Sequence, residues 1–501
     1  WRASRGYGQA LVEALHAGQP RMFFSEEQPF GGVKTDAGAV SVAVQGLSDP
    51  DAGIRRVSAE ILGNLPVPEA GKALLDALMD TDAQVRVSAL QGLASLQATS
   101  AIAQISACLA DPDPDVRLQA IDSFSRLASP TVITAQIEPL LVDDDPHVRI
   151  RAAQTLLQGS NHPQASAILH EMAVDADAGI RAQALNALGC CGELSAFDLA
   201  ESALDDVQPV VRKAACRALV ALDPHQALNV LVRHLDDEES SVRQVLADSF
   251  GEIGEPALEP LVQALSDPAY EPGALMALEN VPAQKEVPRI RAHAQTAGQC
   301  ALYYHGLALG LAEKYGRDSL DGERMQLLAD SLRDMAQCRG LIALRAVGLL
   351  TSGAKVRAAV DNLGSRDAAQ RANALEILES TGEREIIRPL LVLWESGAVP
   401  AAPLPDGWVM DLLADPDAWI RACAAFATAG MQPDGLRERL NTMSHSDPDQ
   451  FVRAVTVNML MGASEMQTLA TLSLMERILF LRRVPLFADL PPTEIGRAAW
   501  W

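Results

Sequence analysis

The 501 residues are 48% apolar but only 4% aromatic, so a core must come from Ala, Leu, Val and Ile, which suits packed helices rather than a β-sandwich. A formal charge of −24, from 41 basic against 65 acidic side chains, repels phosphate backbones and excludes general nucleic-acid binding. The length exceeds one compact core and the apolar content excludes disorder, which leaves several domains or a repeat array.

Seven cysteines (Cys108, Cys190, Cys191, Cys216, Cys300, Cys338, Cys423) lie in apolar stretches, and none forms a C-x-x-C pair. An odd count without framework spacing reads as reduced thiols of a cytosolic compartment. The vicinal Cys190–Cys191 reads as small buried helix residues rather than a redox pair. No run of 18 apolar residues and no signal peptide is visible. The chain opens at Trp1 and stops at Trp500–Trp501 in mid-pattern, as expected of part of something longer.

Residues 1–46 read as a lead-in segment, and a repeat then runs over 47–281. An Arg preceded by Val or Ile recurs at Arg55, Arg86, Arg117, Arg149, Arg181, Arg212 and Arg243, at spacings of 31 or 32. Six residues before each stands Asp49, Asp80, Asp111, Asp143, Asp175, Asp206 or Asp237. Four before stands Asp51, Asp82, Asp113, Asp145 or Asp177, replaced by Gln208 and Glu239 in the last two units. The pattern returns at Asp415, Asp417 and Arg421, and at Asp447, Asp449 and Arg453.

Within one unit, Leu74, Leu75 and Leu78 predict a first helix over Ala70–Met79. A second helix is predicted over about Ala83–Leu96, with Val85, Ala89, Leu90, Leu93 and Leu96 facing inward. Asp82 is placed as its N-cap, and Pro114, Pro146 and Pro209 fall at the first helical position of their own units. A hairpin of 31 residues cannot bury its apolar face alone, so neighbours must stack.

The runs D-P-D-A-G-I-R-R-V-S-A-E-I-L-G-N-L at 49–65 and D-P-D-P-D-V-R-L-Q-A-I-D-S-F-S-R-L at 111–127 resemble HEAT repeats in their short bacterial form. The resemblance implies an all-α, right-handed α-solenoid of stacked HEAT-like helical hairpins. It also implies a ladder of ion pairs between turn Asp and second-helix Arg, which makes these residues structural.

The pattern fails near 267–281, where Gly273 stands in place of Arg. Residues 282–322 read as a linker and a long helix near 289–315, which interrupts the solenoid. Its inner face is predicted as Ile290, Ala294, Ala297, Ala301, Leu302, Leu309 and Ala312. Tyr303 and Tyr304 read as a buried pair beside a hydrogen-bonded His305, and a two-glycine loop at 316–322 ends the element. A second HEAT-like half occupies 323–470, with helices at Leu341–Leu350, Val356–Leu363 and Ala368–Leu378 and a stiff proline-rich excursion at 399–407.

In 471–501, a helix over about Leu472–Arg483 leads into V-P-L-F, and Leu479, Phe480, Leu486 and Phe487 form an apolar cluster. This stretch resembles the lead-in to a cyclic-nucleotide-binding domain, so it is taken as the incomplete start of one. The order of parts resembles the soluble region of bacterial transporter-like proteins, similar to ADP/ATP translocases, in which HEAT repeats precede such a domain. That resemblance places every membrane-spanning part before Trp1 and the present chain on the cytoplasmic face.

The nine histidines form no H-E-x-x-H, and neither a G-x-x-x-x-G-K-[ST] nor a G-x-S-x-G run occurs. No catalytic residue, metal ligand or cofactor site is predicted. The expected function is a non-catalytic scaffold for protein partners, the cytosolic part of a larger membrane-linked protein with a C-terminal ligand-sensing domain. The alternatives are a free-standing cytosolic adaptor and a HEAT-like chromophore lyase.

Overall fold

Alternating first and second helices fill the described part of the chain, which in this computed structural model is residues 37–159, 162–315, 320–351, 354–365, 367–394, 403–428, 431, 435–461 and 474–482. No strand occurs among the described residues. The chain divides into two compact units between Ile253 and Gly254.

The first unit begins with the hairpins α1 (Ala37–Gly46)/α2 (Ala52–Leu62), α3 (Pro68–Ala77)/α4 (Ala83–Ser95) and α5 (Ile102–Ala107)/α6 (Pro114–Leu127). It continues with α7 (Pro130–Ile137)/α8 (Pro146–Gly159) and α9 (Pro163–Met172)/α10 (Ala178–Cys191). The last two are α11 (Phe197–Ser202)/α12 (Pro209–Leu222) and α13 (Pro224–Leu231)/α14 (Ser240–Ile253). Asp51, Asp82, Asp113 and Asp177 each accept from backbone N–H groups of the helix they start, as the spacing predicts. Gln208 makes no such bond, and Pro209 at the next position removes one of the donors that needs it.

Val85, Ala89, Leu90 and Leu93 are fully buried, whereas Leu96 ends α4 half-buried at the surface. Successive second helices approach most closely near their C-terminal ends. A Cβ on Gly63 would lie 2.6 Å from Gly92 Cα, and one on Gly189 would lie 2.8 Å from Ala218 Cα. Backbone meets backbone there, and a side chain would force the helices apart.

The second unit opens with the short helices α15 (Leu258–Ala264) and α16 (Glu271–Leu278). The predicted long helix follows as α17 (Val287–Lys314) and packs lengthwise on a second one, α18 (Leu320–Leu350). Leu302, Leu309 and Ala312 are half-buried on α17, while Tyr304, Leu307, Ala308 and Leu311 complete its inner face. The expected loop at 316–322 is thereby corrected: Leu320–Gly322 are helical, residues 316–319 lie outside the described set, and the expected Leu341–Leu350 helix is the last third of α18. Further along the same helix a glycine serves packing. A Cβ on Gly340 would lie 2.6 Å from Leu393 Cδ1 and 2.9 Å from the Trp394 ring.

Further along come α19 (Ala354–Leu363), α20 (Ala368–Glu379), α21 (Arg384–Leu390) and α22 (Trp408–Leu412). The last are α23 (Ala418–Thr428), α24 (Leu436–Ser446), α25 (Gln450–Met461) and α26 (Leu474–Arg482). The V-P-L-F turn with Leu486 and Phe487, and the side chain of Phe480, lie outside the described residues. No helix among the described residues is long and apolar enough to cross a membrane.

Two glycines give opposite expectations. Gly63→Ala should lower stability by about 1–3 kcal/mol through overpacking against the backbone of α4. Gly71→Ala, at a helical position with nothing within 4 Å of the new Cβ, should raise it by about 0.5–1 kcal/mol. Urea denaturation of both variants reads the pair, and a destabilised Gly71→Ala with an unaffected Gly63→Ala would contradict the close approach.

Candidate functional site

The turns joining first to second helices gather most of the charged chemistry of the first unit. Arg86, in the first turn of α4, shows the arrangement. Its Nη1 donates to the Asp80 and Thr81 carbonyls of its own turn at 2.8 and 3.3 Å. Its Nε and Nη2 donate to Asp111 Oδ2 and Oδ1 of the next turn at 2.9 and 2.8 Å. Asp111 Oδ1 meanwhile accepts from the Asp113 N–H at 2.9 Å, closing the turn that carries it. One guanidinium thus joins two turns by a bidentate fork.

The same link joins Arg55 to Asp80, Arg117 to Asp143, Arg181 to Asp206 and Arg212 to Asp237. The bond from Arg55 holds the Asp80 carboxyl below the usual carboxylate range. At Asp237 burial pushes upward, but the bonds from Arg212 and the Glu239 N–H outweigh it and the carboxyl is also lowered. Five such forks in register commit these ten residues to structure.

Arg149 departs from the series. Its Nη1 donates to the Asp143 and Asp144 carbonyls at 2.6 and 3.2 Å, but no bond to Asp175 forms among the described residues. That junction carries other links instead. His147 Nδ1 donates to Gln183 Oε1 at 2.7 Å, and Cys191 Sγ lies 3.6 Å from the Gln154 carbonyl.

In the second unit the ladder reappears between α23 and the turn after α24, where Arg421 grips Asp447 by Nε at 2.9 Å and Nη2 at 2.8 Å. Asp415 is the turn carboxylate that should receive an Arg from a preceding repeat, and Tyr304 of α17 takes that place. Its hydroxyl donates to Asp415 Oδ2 at 2.7 Å. Burial pushes both groups up, so the Tyr304 hydroxyl stays protonated and the Asp415 carboxyl is raised. A second buried carboxylate, Glu271, lies 2.5 Å from Arg339 Nη1 and 2.9 Å from His293 Nε2. Trp419 and Phe451, each two residues before a ladder Arg, stack with ring centroids 6.0 Å apart. Beside them lies a cleft of about 250 Å³ lined in part by Phe451, Val455, Leu474 and Arg477.

The sequence-predicted Tyr pair needs correcting. Tyr304 is buried but Tyr303 is exposed and reaches Asp411 at 3.3 Å, while the buried Nε2 of His305 has no hydrogen-bond partner. Adjacent residues on a helix point about 100° apart, so both could not face the core. The same geometry corrects Cys190–Cys191, of which Cys190 is exposed and Cys191 half-buried. Burial pushes the Cys191 thiol up to about 11 and the Cys216 thiol up to about 12, so neither supplies a thiolate at neutral pH. Among the described residues no group of three or more His, Cys, Asp or Glu side chains is placed to hold a metal ion. Sequence reasoning missed the Tyr304–Asp415 contact, although one signal was present: positions 389 and 390, where the ladder Arg for Asp415 would stand, are Pro389 and Leu390.

Stacked hairpins tied by this ladder define an all-α solenoid of the HEAT type. The family model described as HEAT repeats matches residues 71–138, 134–206 and 197–281. The chain is similar to the complex of CpcE and CpcF of phycocyanin lyase from Nostoc sp. PCC7120, at 25% identity over 48% of this chain and 86% of that one, with a TM-score of 0.25. It is similar to the AP-3 complex at 14% identity, covering 98% and 99% of the two chains with a TM-score of 0.41. Importin beta matches at 13% identity over 98% of this chain and 82% of that one, with a TM-score of 0.38. No curated protein matches.

The interrupted series makes a paired prediction. Arg117→Ala removes a fork whose side chain is 13% exposed and strands Asp143, so it should cost about 1–3 kcal/mol. Arg149→Ala loses only bonds to carbonyls of its own turn and should cost about 1 kcal/mol or less. Thermal melts of both variants read the difference, and equal losses would place an Asp175 link in solution after all.

Proposed function

We propose that the chain is a non-catalytic scaffold that presents a repeated surface to a protein partner. The observation that carries this reading is the division of labour within each unit. Apolar side chains of the second helices are spent on packing, and the turn Asp and Arg on the ladder. What remains outward at constant register, five residues after each repeat arginine, is polar and none of it is buried: Glu60, Gln91, Asp122, Gln154, Asn186, Arg217 and Asp248. Such a row offers hydrogen bonds at regular spacing, which suits a long polypeptide surface better than a small substrate.

A photo-crosslinking amino acid placed singly at Gln91, Gln183, Gln244, Met79 or Val174 tests this in lysate of the source cell. A discrete adduct at some positions and not others is expected. No adduct at any of the five would overturn the scaffold reading.

We further propose that this scaffold is the cytosolic part of a larger membrane-linked protein with a C-terminal ligand-sensing domain. Support comes from α26, which occupies the place of the lead-in helix expected before V-P-L-F. Calorimetry with cyclic AMP and cyclic GMP should find no binding to the present chain and binding to one extended by about 120 residues of its gene, the size of a small domain. Silence from both, with crosslinks intact, would leave a free-standing adaptor.

A further inference from the structure

The ladder fixes the turns of the first unit side by side, and the residues flanking its carboxylates then acquire a common direction. Met79, Ala110, Val142 and Val174 each stand immediately before the Asp that closes the turn, in four consecutive hairpins. In the fifth, Val207 stands immediately after Asp206. The larger four are among the most exposed apolar side chains described, at 86% for Met79, 76% for Val142, 65% for Val174 and 85% for Val207. One such residue is ordinary on a surface, but exposed apolar residues beside the turn Asp in successive turns form a row. The row crosses the Arg149–Asp175 interruption, where His147 and Gln183 hold the hairpins together.

Charge flanks the row. Between residues 47 and 253 there are 30 Asp and Glu against 14 Lys and Arg, and seven of those 14 are the repeat arginines bonded into the turns. Asp144, Asp177 and Asp205 are exposed on the same turns, and Asp51 on the turn before them. The spacing selects the shape of an occupant. Adjacent packed helices are about 8–10 Å apart, and a polyproline II segment returns a side chain to the same face every three residues, about 9 Å.

We propose that this turn edge docks a basic, extended polypeptide segment of a partner protein, with an apolar side chain at every third position and Lys or Arg between. The apolar residues meet Met79, Val142, Val174 and Val207, and the cations meet the exposed carboxylates. This assignment rests on the scaffold reading and names the face and the partner chemistry within it.

Fluorescence anisotropy with three labelled peptides, five repeats each of Leu-Lys-Pro, Ser-Lys-Pro and Leu-Glu-Pro, tests it. The Leu-Lys-Pro peptide should bind at least tenfold more tightly than either control, and added salt should weaken it. The variant Met79→Ser/Val142→Ser/Val174→Ser/Val207→Ser should lose at least tenfold in that affinity at an unchanged melting temperature, since all four side chains are exposed. Should that variant misfold, the single changes Met79→Ser and Val174→Ser are each expected to lose two- to threefold. Equal binding of the Ser and Leu peptides, no binding of the Leu-Lys-Pro peptide, or unchanged affinity in the folded variants would overturn the proposal. Crosslinks from Gln91, Gln183 or Gln244 that persist in such a case would show the scaffold reading intact and only this surface misassigned.

Discussion

In five of the seven second helices of the first unit an arginine turns back to its own turn with one nitrogen and forward to the next turn with two others. Most other features of the unit depend on that forked reach. It satisfies turn carbonyls that no helix can satisfy, neutralises a half-buried carboxylate, and fixes the distance between neighbouring turns. Burial makes the arrangement cooperative, because removal of either partner leaves the other charged and poorly hydrated. A hairpin is therefore incomplete without its successor, in polar groups as well as in apolar area.

The other end of each second helix is held differently. At two junctions the contact there is backbone against backbone, Gly63 with Gly92 and Gly189 with Ala218. The second unit meets the same requirements with other groups. A tyrosine hydroxyl from a long helix replaces the guanidinium at Asp415, and Arg339 holds Glu271 where the repeat has decayed. Each buried carboxylate has donors, and only the source of the donors has changed.

The register of the ladder, its caps and the first-position prolines were legible because each follows from local chain geometry at a fixed offset. Arg149 shows where such reading stops: its sequence context matches the pattern, and only the placement of the next turn leaves Asp175 out of reach. Glycine was the second obstacle. Gly322 reads as part of a loop, yet it lies inside α18 together with Gly340, which is required by the approach of Leu393 and Trp394 from a distant segment. The Tyr304–Asp415 contact spans 111 positions, and the missing arginine signalled a vacancy without naming its occupant.

The forward-pointing arginine also bears on how such a chain changes length over generations. Every link runs from one unit to an equivalent acceptor in the next, so gene recombination that deletes or duplicates a whole period leaves each donor facing an acceptor of the same kind. A cut at any other phase strands a guanidinium and a carboxylate together. Selection against stranded charges thus keeps insertions and losses in whole units, and the number of hairpins can drift while their pattern does not. The junction after Arg149 is an exception, because no other unit carries a histidine at the place of His147, and its link to Gln183 cannot be exchanged with them.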